Sequence, residues 1–211
     1  IHHYPRLSTP DFAEELLQKL NAVMEEHGGR KPIWLTEYGY YADDDPSSVP
    51  MPNSGFNVPL ESEVLQSSYA VRWAVIMFAG GVEKIFYHAG TCDGLNRDSL
   101  HGIFYEYAGR PHKIYAAQAV MAHFLTADCR FAGRLALGEG MHGYLFRAGQ
   151  RTVAVVWAVA GAETVPIRIA DENVQLWDLM GRPLPQRQFT PTGTPDHLTS
   201  EHLSDEVWPT A

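Results

Sequence analysis

Residues 30–41 are RKPIWLTEYGYY, in which three bulky apolar residues are followed by a threonine and then by a glutamate beside three tyrosines. Residues 32–36 show no polar alternation, which is typical of a strand buried on both faces in a parallel sheet covered by helices. A strand period of two puts Ile33, Leu35 and Glu37 on one face. Because the carboxyl ends of parallel strands gather at one rim, where sites form, we expect Glu37 to lie in a site.

Strands and helices alternate on both sides of this stretch. Two further short segments are predicted strands: IHHYP at residues 1–5, which ends at a proline, and KIFYH at residues 84–88. Apolar residues at helical spacing predict helices over about residues 9–27, 61–78 and 112–125. Helices that join consecutive parallel strands imply right-handed crossover connections, so the first part of the chain is predicted to be an α/β domain. Long loops, at residues 43–59 and 91–111, would lie over the rim.

The pattern changes after about residue 125, where no long helical spacing returns. Residues 141–159, MHGYLFRAGQRTVAVVWAV, predict two strands around a tight Gly-Gln turn, and shorter strand-like segments follow. We therefore predict an α/β domain at residues 1–126 and a small antiparallel β-sandwich at residues 127–211. Hydrophobic residues make up 45% of the 211 positions, which is ample for the cores of both domains.

The composition argues against several kinds of partner. A formal net charge of −9 disfavours nucleic acid, which selects a basic surface, and also disfavours anionic membranes. The longest apolar run, AVIMFAGGV, is much shorter than the roughly 20 residues that a membrane helix needs. The chain starts at Ile1, inside a predicted strand, so we expect it to be a fragment or a processed product.

Side chains at the three predicted strand ends form a candidate site. A tyrosine hydroxyl beside a carboxylate can hold it ionised and oriented. Aromatic rings with polar edges match a sugar, which has C–H groups on its face and hydroxyls around its rim. A simpler interpretation is that Glu37 is solvated or ion-paired and that the aromatic residues are packing. The candidate site residues are Glu37, Tyr4 and His2, and the candidate substrate-binding residues are Tyr38, Tyr40, Tyr87 and His88.

These segments resemble parts of the retaining glycoside hydrolases of clan A, which are (β/α)8-barrel enzymes. PIWLTEYGY resembles their seventh strand, which ends on the nucleophilic glutamate in a Thr-Glu-x-Gly-like setting. HHYP resembles their sixth strand, with a His-x-Tyr pattern at His2 and Tyr4, and residues 69–88 resemble helix seven and strand eight. The tail resembles the β-sandwich appended to several of these families, and family 39-like enzymes are the most similar.

The resemblance implies that residues 1–126 are the C-terminal portion of a TIM barrel, its strands six to eight. Glu37 would attack the anomeric carbon, Tyr4 would orient it, and His2 would support Tyr4 or contact a substrate hydroxyl. The acid/base of the clan is the glutamate of an Asn-Glu pair, and no such pair occurs in this sequence. We therefore expect the missing N-terminal part of the barrel as a partner, a carbohydrate as substrate, and an inactive fragment when the chain is alone.

Several points stay open at this stage. Tyr87 and His88 stand where the clan usually presents a tryptophan, so the sugar is not defined. No His-x3-His or His-Glu-x-x-His spacing occurs, and we expect neither a metal nor another cofactor. The alternative function is a non-catalytic carbohydrate-binding or interaction module. Trp157 and Trp177 are expected in the core of the second domain, or else in a carbohydrate-binding stripe. An extracytoplasmic location is expected from the substrate class alone.

Overall fold

The computed structural model describes most of the chain as two compact units, Ile1–Tyr115 and Ala116–Ala211. The placement of the domain boundary between residues 126 and 127 stays a prediction. The predicted loops at 43–59 and 91–111 lie, apart from Asp44 and Pro111, outside the described residues. The described residues are 1–5, 8–40, 42, 44, 60–88, 111–159, 161–163, 166–169, 172–185 and 187–200.

Within its described residues, the first unit contains two helices and two parallel strands, and a further helix begins at its end. Glu14 and Glu15 lie in the first turn of the first helix, where the helix dipole favours acidic residues. Ser62 caps the second helix, because its Oγ accepts a hydrogen bond of 3.1 Å from the Leu65 N–H. The elements are a 3-10 turn Pro10–Phe12, α1 Ala13–Glu26, β1 Ile33–Tyr38, α2 Glu63–Ala79, β2 Val82–Tyr87 and α3 Lys113–Phe124.

Three chain segments lie side by side in parallel. β1 pairs with β2, and the first residues of the chain lie along β1 through a bridge between His2 and Glu37. The terminal amino group of Ile1 donates to the Trp34 carbonyl oxygen at 2.6 Å. The predicted parallel order of the three segments is therefore confirmed, although the first forms a single bridge rather than a regular strand.

The burial of β1 differs from the prediction. Ile33 and Leu35 are buried, but Thr36 is exposed and Trp34 is 45% exposed, so the strand is covered on one face only among the described residues. The covering element is α2, whose Ala70 carbonyl accepts a hydrogen bond from the Tyr38 hydroxyl. The expectation of a strand buried on both faces is wrong for this structure.

A register shift also interrupts the expected alternation. Between Leu35 and Tyr38, three steps along β1 lie opposite two steps along β2, Ile85 to Tyr87. An opposite shift occurs earlier, where the single step from Ile33 to Trp34 lies opposite the two steps from Val82 to Lys84. The extra residue after Leu35 is a β-bulge, a feature that bends a strand and re-aims side chains near sites. Leu35 and Tyr38 are both buried, whereas Glu37 between them is half-exposed, so Glu37 does not share the face of Ile33 and Leu35 as predicted.

The second unit is built from antiparallel sheets. Its largest sheet has the strand order β3-β4-β5-β10-β7-β8, and a two-stranded sheet pairs β6 with β9. The predicted hairpin is confirmed, because β4 and β5 pair along their full lengths around Gly149 and Gln150. The strands are β3 Arg130–Arg134, β4 Met141–Ala148, β5 Arg151–Ala158, β6 Ile167–Arg168, β7 Gln175–Trp177, β8 Pro183–Leu184, β9 Gln188–Phe189 and β10 Asp196–Ser200.

One apolar core joins the two sheets of this unit. Leu145, Val156 and Leu198 from the large sheet pack in one cluster with Ile169 and Phe189 beside the small sheet. Burial of each such side chain contributes about 1.5–3 kcal/mol, so this cluster contributes substantially to the stability of the unit. Within the described residues, no helix is both long and apolar enough to cross a membrane.

Candidate active site

The centre of the candidate site is the carboxylate of Glu37. The Tyr4 hydroxyl donates a hydrogen bond of 2.8 Å to Oε2 of Glu37. Nε2 of His2 lies 3.1 Å from the same oxygen. The Glu37 side chain is 37% exposed, so a ligand can reach it while two polar side chains hold one of its oxygens.

Backbone hydrogen bonds fix these side chains in register. The His3 N–H donates to the Glu37 carbonyl at 3.1 Å. The Ile1 carbonyl accepts from the N–H of Thr36 at 2.7 Å and from its hydroxyl at 2.8 Å. The position of Tyr4 relative to Glu37 therefore depends on backbone pairing as well as on side-chain rotamers, which preorganises the contact.

Aromatic rings surround the carboxylate. The His2 ring lies 5.5 Å from the Tyr4 ring, and the His88 ring meets the Tyr4 ring edge-on at 5.8 Å. The His88 N–H donates to the Tyr38 carbonyl at 2.8 Å, which ties the end of β2 to the end of β1. The structure thus brings together four predicted residues, His2, Tyr4, Glu37 and His88, which we call the Glu37 cluster.

The three predicted substrate-binding tyrosines are not part of the Glu37 cluster. Tyr38 and Tyr40 have no exposed surface, and their hydroxyls donate to the carbonyls of Ala70 and Ser8 at 3.3 Å. The Tyr87 hydroxyl donates to the Tyr40 carbonyl at 2.8 Å and accepts from the Tyr40 N–H at 3.2 Å. Burial raises the pKa of the Tyr40 hydroxyl well above its ordinary value, so that hydroxyl stays protonated. These hydroxyls are therefore held by backbone carbonyls, and the Tyr38 and Tyr87 rings meet edge-on at 4.9 Å.

Sequence reasoning missed an aromatic surface on the open face of the sheet. Trp34 and Phe86 are 45% and 49% exposed, and their rings lie 6.3 Å apart. The Lys84 ammonium lies 4.3 Å from the centre of the Trp34 ring, a cation–π contact. Alternation within the apolar run of residues 84–88 was the signal that could have placed Lys84 and Phe86 on one face.

A second polar network at the start of α2 was also missed. The buried Glu63 carboxylate accepts from the Lys113 N–H at 2.8 Å, and it lies 3.1 Å from Nδ1 of His112. The Asp44 carboxylate accepts from the Glu63 N–H at 2.7 Å and pairs with the Lys113 ammonium. The hydrogen bond from Lys113 holds the pKa of the Asp44 carboxyl below its ordinary value. Glu63 therefore links Asp44, which follows β1, to Lys113 at the start of α3.

The Glu37 cluster has the parts needed for nucleophilic or binding chemistry at a carboxylate. It has one oriented carboxylate, two hydrogen-bonding partners and ring surfaces at the carboxyl end of a parallel strand. Among the residues that the structure describes, no three His, Cys, Asp or Glu side chains group in a way that could hold a metal ion.

Comparison with known proteins gives similarity in structure and none in sequence. No family model matches the chain, and no curated protein matches it. A glucosidase from Croceicoccus marinus has a TM-score of 0.57 at 12% identity, over 96% of this chain and 53% of its own. A β-porphyranase of glycoside hydrolase family 86 from Bacteroides plebeius has a TM-score of 0.55 at 12% identity, over 96% and 41%.

A third solved structure gives the same result. The GH30 endoxylanase from Clostridium papyrosolvens has a TM-score of 0.52 at 15% identity, over 94% of this chain and 47% of its own. The chain therefore spans about half the length of the structures that it matches. Identities this low show likeness of fold alone, and the fold of this chain is similar to about half of each of these glycoside hydrolase structures.

Proposed function

We propose that this chain is part of a retaining glycoside hydrolase and that Glu37 is its nucleophile. The observation that supports the proposal best is the pair of contacts on Oε2 of Glu37, from Tyr4 at 2.8 Å and from His2 at 3.1 Å. A carboxylate that is merely solvated has no need of two partners on one oxygen. The clan A fold independently makes the carboxyl end of a barrel strand the place for catalysis.

In this proposal the reaction begins with attack by Oε1, because both polar contacts fall on Oε2. A bond forms between Oε1 and the anomeric carbon while the bond from that carbon to the leaving oxygen breaks. Water then cleaves the glycosyl-enzyme ester and restores the carboxylate. Tyr4 and His2 orient Oε2 in both steps, and His88 contacts the sugar beside Tyr4. Tyr87, Tyr38 and Tyr40 support the floor of the site.

We further propose that residues 1–126 form strands six to eight of a barrel and that residues 127–211 form an appended β-sandwich. Two findings support this layout: the parallel order of three segments with one open face, and the coverage of about half of each longer structure. The core shared by two antiparallel sheets supports the sandwich. Likeness to family 39 in particular stays a prediction.

The N-terminal part of the barrel would supply two things. It would cover the exposed Trp34 and Phe86, since an open apolar sheet face favours association. It would also bring the acid/base carboxyl to about 5–5.5 Å from Glu37, the separation of a retaining pair. Without it, proton donation to the leaving group is lost, which removes roughly 10²–10⁴-fold of the rate.

The test uses substrates that need no proton donor. Dinitrophenyl glycosides release a stable phenolate, and a fluorine next to the anomeric carbon slows hydrolysis of the ester, so the glycosyl-enzyme accumulates. The chain is incubated with glucoside, xyloside and galactoside versions, digested, and sequenced by tandem mass spectrometry. We expect one sugar per chain on Glu37.

Two variants sharpen the result. Glu37→Gln should abolish the label, whereas Glu83→Gln, an exposed glutamate on the neighbouring strand β2, should leave it unchanged. Labelling of other carboxylates at the same rate as Glu37, or no label with any of the three sugars, contradicts the assignment of the nucleophile. Binding of the same sugars without a covalent bond would then favour a carbohydrate-binding module.

A further inference from the structure

The second unit has a cleft of about 320 Å³ that the reaction at Glu37 does not use. Its floor is the face of the six-stranded sheet opposite the apolar core, since Trp177 and Thr199 alternate with the core residues Leu176 and Leu198. The end of α3 and the residues before β7 form its sides. The lining residues are His123, Phe124, Arg151, Glu172, Asn173, Gln175, Trp177 and Thr199.

We propose that this cleft binds a neutral saccharide of one or two rings. The proposal does not depend on catalysis by Glu37, because every lining residue belongs to the second unit. It gives that unit a ligand-binding role of its own. The volume of the cleft falls at the lower end of the range that small-ligand sites occupy, about 300–1,000 Å³.

The indole of Trp177 supplies the platform for a sugar face. Its Nε1–H donates to the Thr199 hydroxyl at 3.3 Å, and its ring lies 5.7 Å from the Phe124 ring. These two contacts hold the ring while part of it stays exposed to the cleft. A ring already held in place loses little conformational entropy when a ligand stacks on it.

The difference between two tryptophans of this unit supports the assignment. Trp157 has no exposed surface and stacks on Tyr144 at 5.1 Å, as a core residue does. Trp177 is only partly buried, although β7 has a paired strand on each side in the same sheet. The expectation that both tryptophans are core residues therefore holds for Trp157 and not for Trp177.

The rest of the lining suits the hydroxyl rim of a sugar. Apart from Phe124 and Trp177, every lining residue has a hydrophilic side chain. The amides of Asn173 and Gln175 each offer donors and an acceptor, the pattern that a hydroxyl group needs. Arg151 and Glu172 carry opposite formal charges, so the cleft favours a neutral ligand over a polyanion.

The test follows the tryptophan side chains of the 211-residue chain by nuclear magnetic resonance. The indole N–H signal of Trp177 is assigned through its disappearance in Trp177→Phe. Cellobiose and xylobiose are the neutral probes, and glucuronic acid is the charged one. We expect the Trp177 signal to shift with a neutral probe, with a dissociation constant in the millimolar range, and to shift equally in Glu37→Gln.

Variants decide between the cleft and other surfaces. We expect Gln175→Ala, an exposed substitution, to weaken binding about tenfold or more, equivalent to about 1.4 kcal/mol, as read from the Trp177 signal. Trp177→Ala removes that signal, so the same loss of binding in this variant is measured by calorimetric titration, and Gln175→Ala carries the test if Trp177→Ala does not fold. Phe131→Ala, which removes an exposed ring from β3 outside the cleft, should change nothing. No shift of Trp177 at about 10 mM probe overturns the proposal, and so does tighter binding of glucuronic acid.

Discussion

Tyr4 and Glu37, separated by 33 residues in sequence, are joined by a hydrogen bond of 2.8 Å from the tyrosine hydroxyl to Oε2 of the carboxylate. The contact depends on parallel pairing of the first residues of the chain with β1. Removing the Tyr4 hydroxyl should therefore disturb the orientation of Glu37 with little effect on folding.

Tyr4→Phe is expected to slow covalent labelling of Glu37 by about tenfold to a hundredfold, because a misoriented nucleophile loses its near-attack geometry. The rate of label incorporation measures this effect. Tyr115→Phe, which removes an exposed hydroxyl from α3, is the matched control and should label at the original rate. Equal rates for the two variants would show that the hydroxyl of Tyr4 does not position the carboxylate.

Glu63→Gln is expected to destabilise the chain by about 1–3 kcal/mol, because a buried carboxylate that accepts from backbone N–H groups loses its charge. Urea unfolding monitored by tryptophan fluorescence gives the free energy of unfolding. The exposed Glu61→Gln, two residues earlier, should change it by no more than about 0.5 kcal/mol. If Glu63→Gln lowers the free energy of unfolding no more than Glu61→Gln does, the Glu63 network contributes little to stability.

The contributions of two adjacent residues of β10 to the free energy of unfolding should change with pH in opposite directions. Burial, and to a lesser extent the Asp178 charge, raises the pKa of the Asp196 carboxyl to about 7. Burial lowers the pKa of the His197 imidazole to about 4. The folded state therefore binds more protons than the unfolded state at Asp196 and fewer at His197.

The two contributions have opposite signs over the same range. The Asp196 contribution to stability is present below its unfolded pKa near 3.8 and is lost as the pH rises through about 7. The His197 contribution is present above its unfolded pKa of 6.5 and is lost as the pH falls through about 4. In the unmodified chain they largely cancel between these limits.

The contribution of each residue to the pH dependence of stability can be measured when the other residue is replaced. In Asp196→Asn the free energy of unfolding should rise from about pH 4 to 6.5, and in His197→Phe it should fall from about pH 4 to 7. Phenylalanine keeps a ring against Phe124, which stacks on His197 at 5.3 Å. Urea unfolding at several pH values provides the measurement, and parallel curves for the two variants would contradict the assigned shifts.

Gly181→Ala is expected to destabilise the second unit by about 1–3 kcal/mol. Gly181 has a φ of 78°, and an added Cβ would lie 2.7 Å from Cγ2 of Val120. Gly161 has nearly the same φ, 79°, with no atom within 4 Å of an added Cβ. Gly161→Ala should thus cost only the backbone strain, about 1 kcal/mol. Thermal unfolding of both variants separates the backbone strain from the clash with Val120. Equal losses of stability in the two variants would show that the clash with Val120 costs nothing.

The sequence predicted the regular elements of the first unit within a few residues. Helices expected over about 61–78 and 112–125 are found at Glu63–Ala79 and Lys113–Phe124. Apolar periodicity and glycine pairs carry enough local information for this. The approach of His2, Tyr4 and Glu37 was also predictable, because parallel strands must end at a common rim.

Two features of the site could not be predicted, because they depend on contacts distant in sequence. The bulge after Leu35 appears only when β1 is paired with β2, and nothing in the letters IWLTEY marks it. The burial of Tyr38 and Tyr40 follows from hydrogen bonds to the carbonyls of Ala70 and Ser8, each 32 residues away. A count of aromatic residues around Glu37 could not separate those that face a ligand from those that pack.

The bulge in β1 has a consequence for how such a site can change over time. It arises from the number of residue steps between Leu35 and Tyr38, which is three opposite two on β2. Deletion of Thr36 would restore strict alternation and place Glu37 on the face opposite Leu35 and Tyr38, with every residue type of the cluster still present. A comparison that scores residue types alone would not detect this change in the direction of the carboxylate.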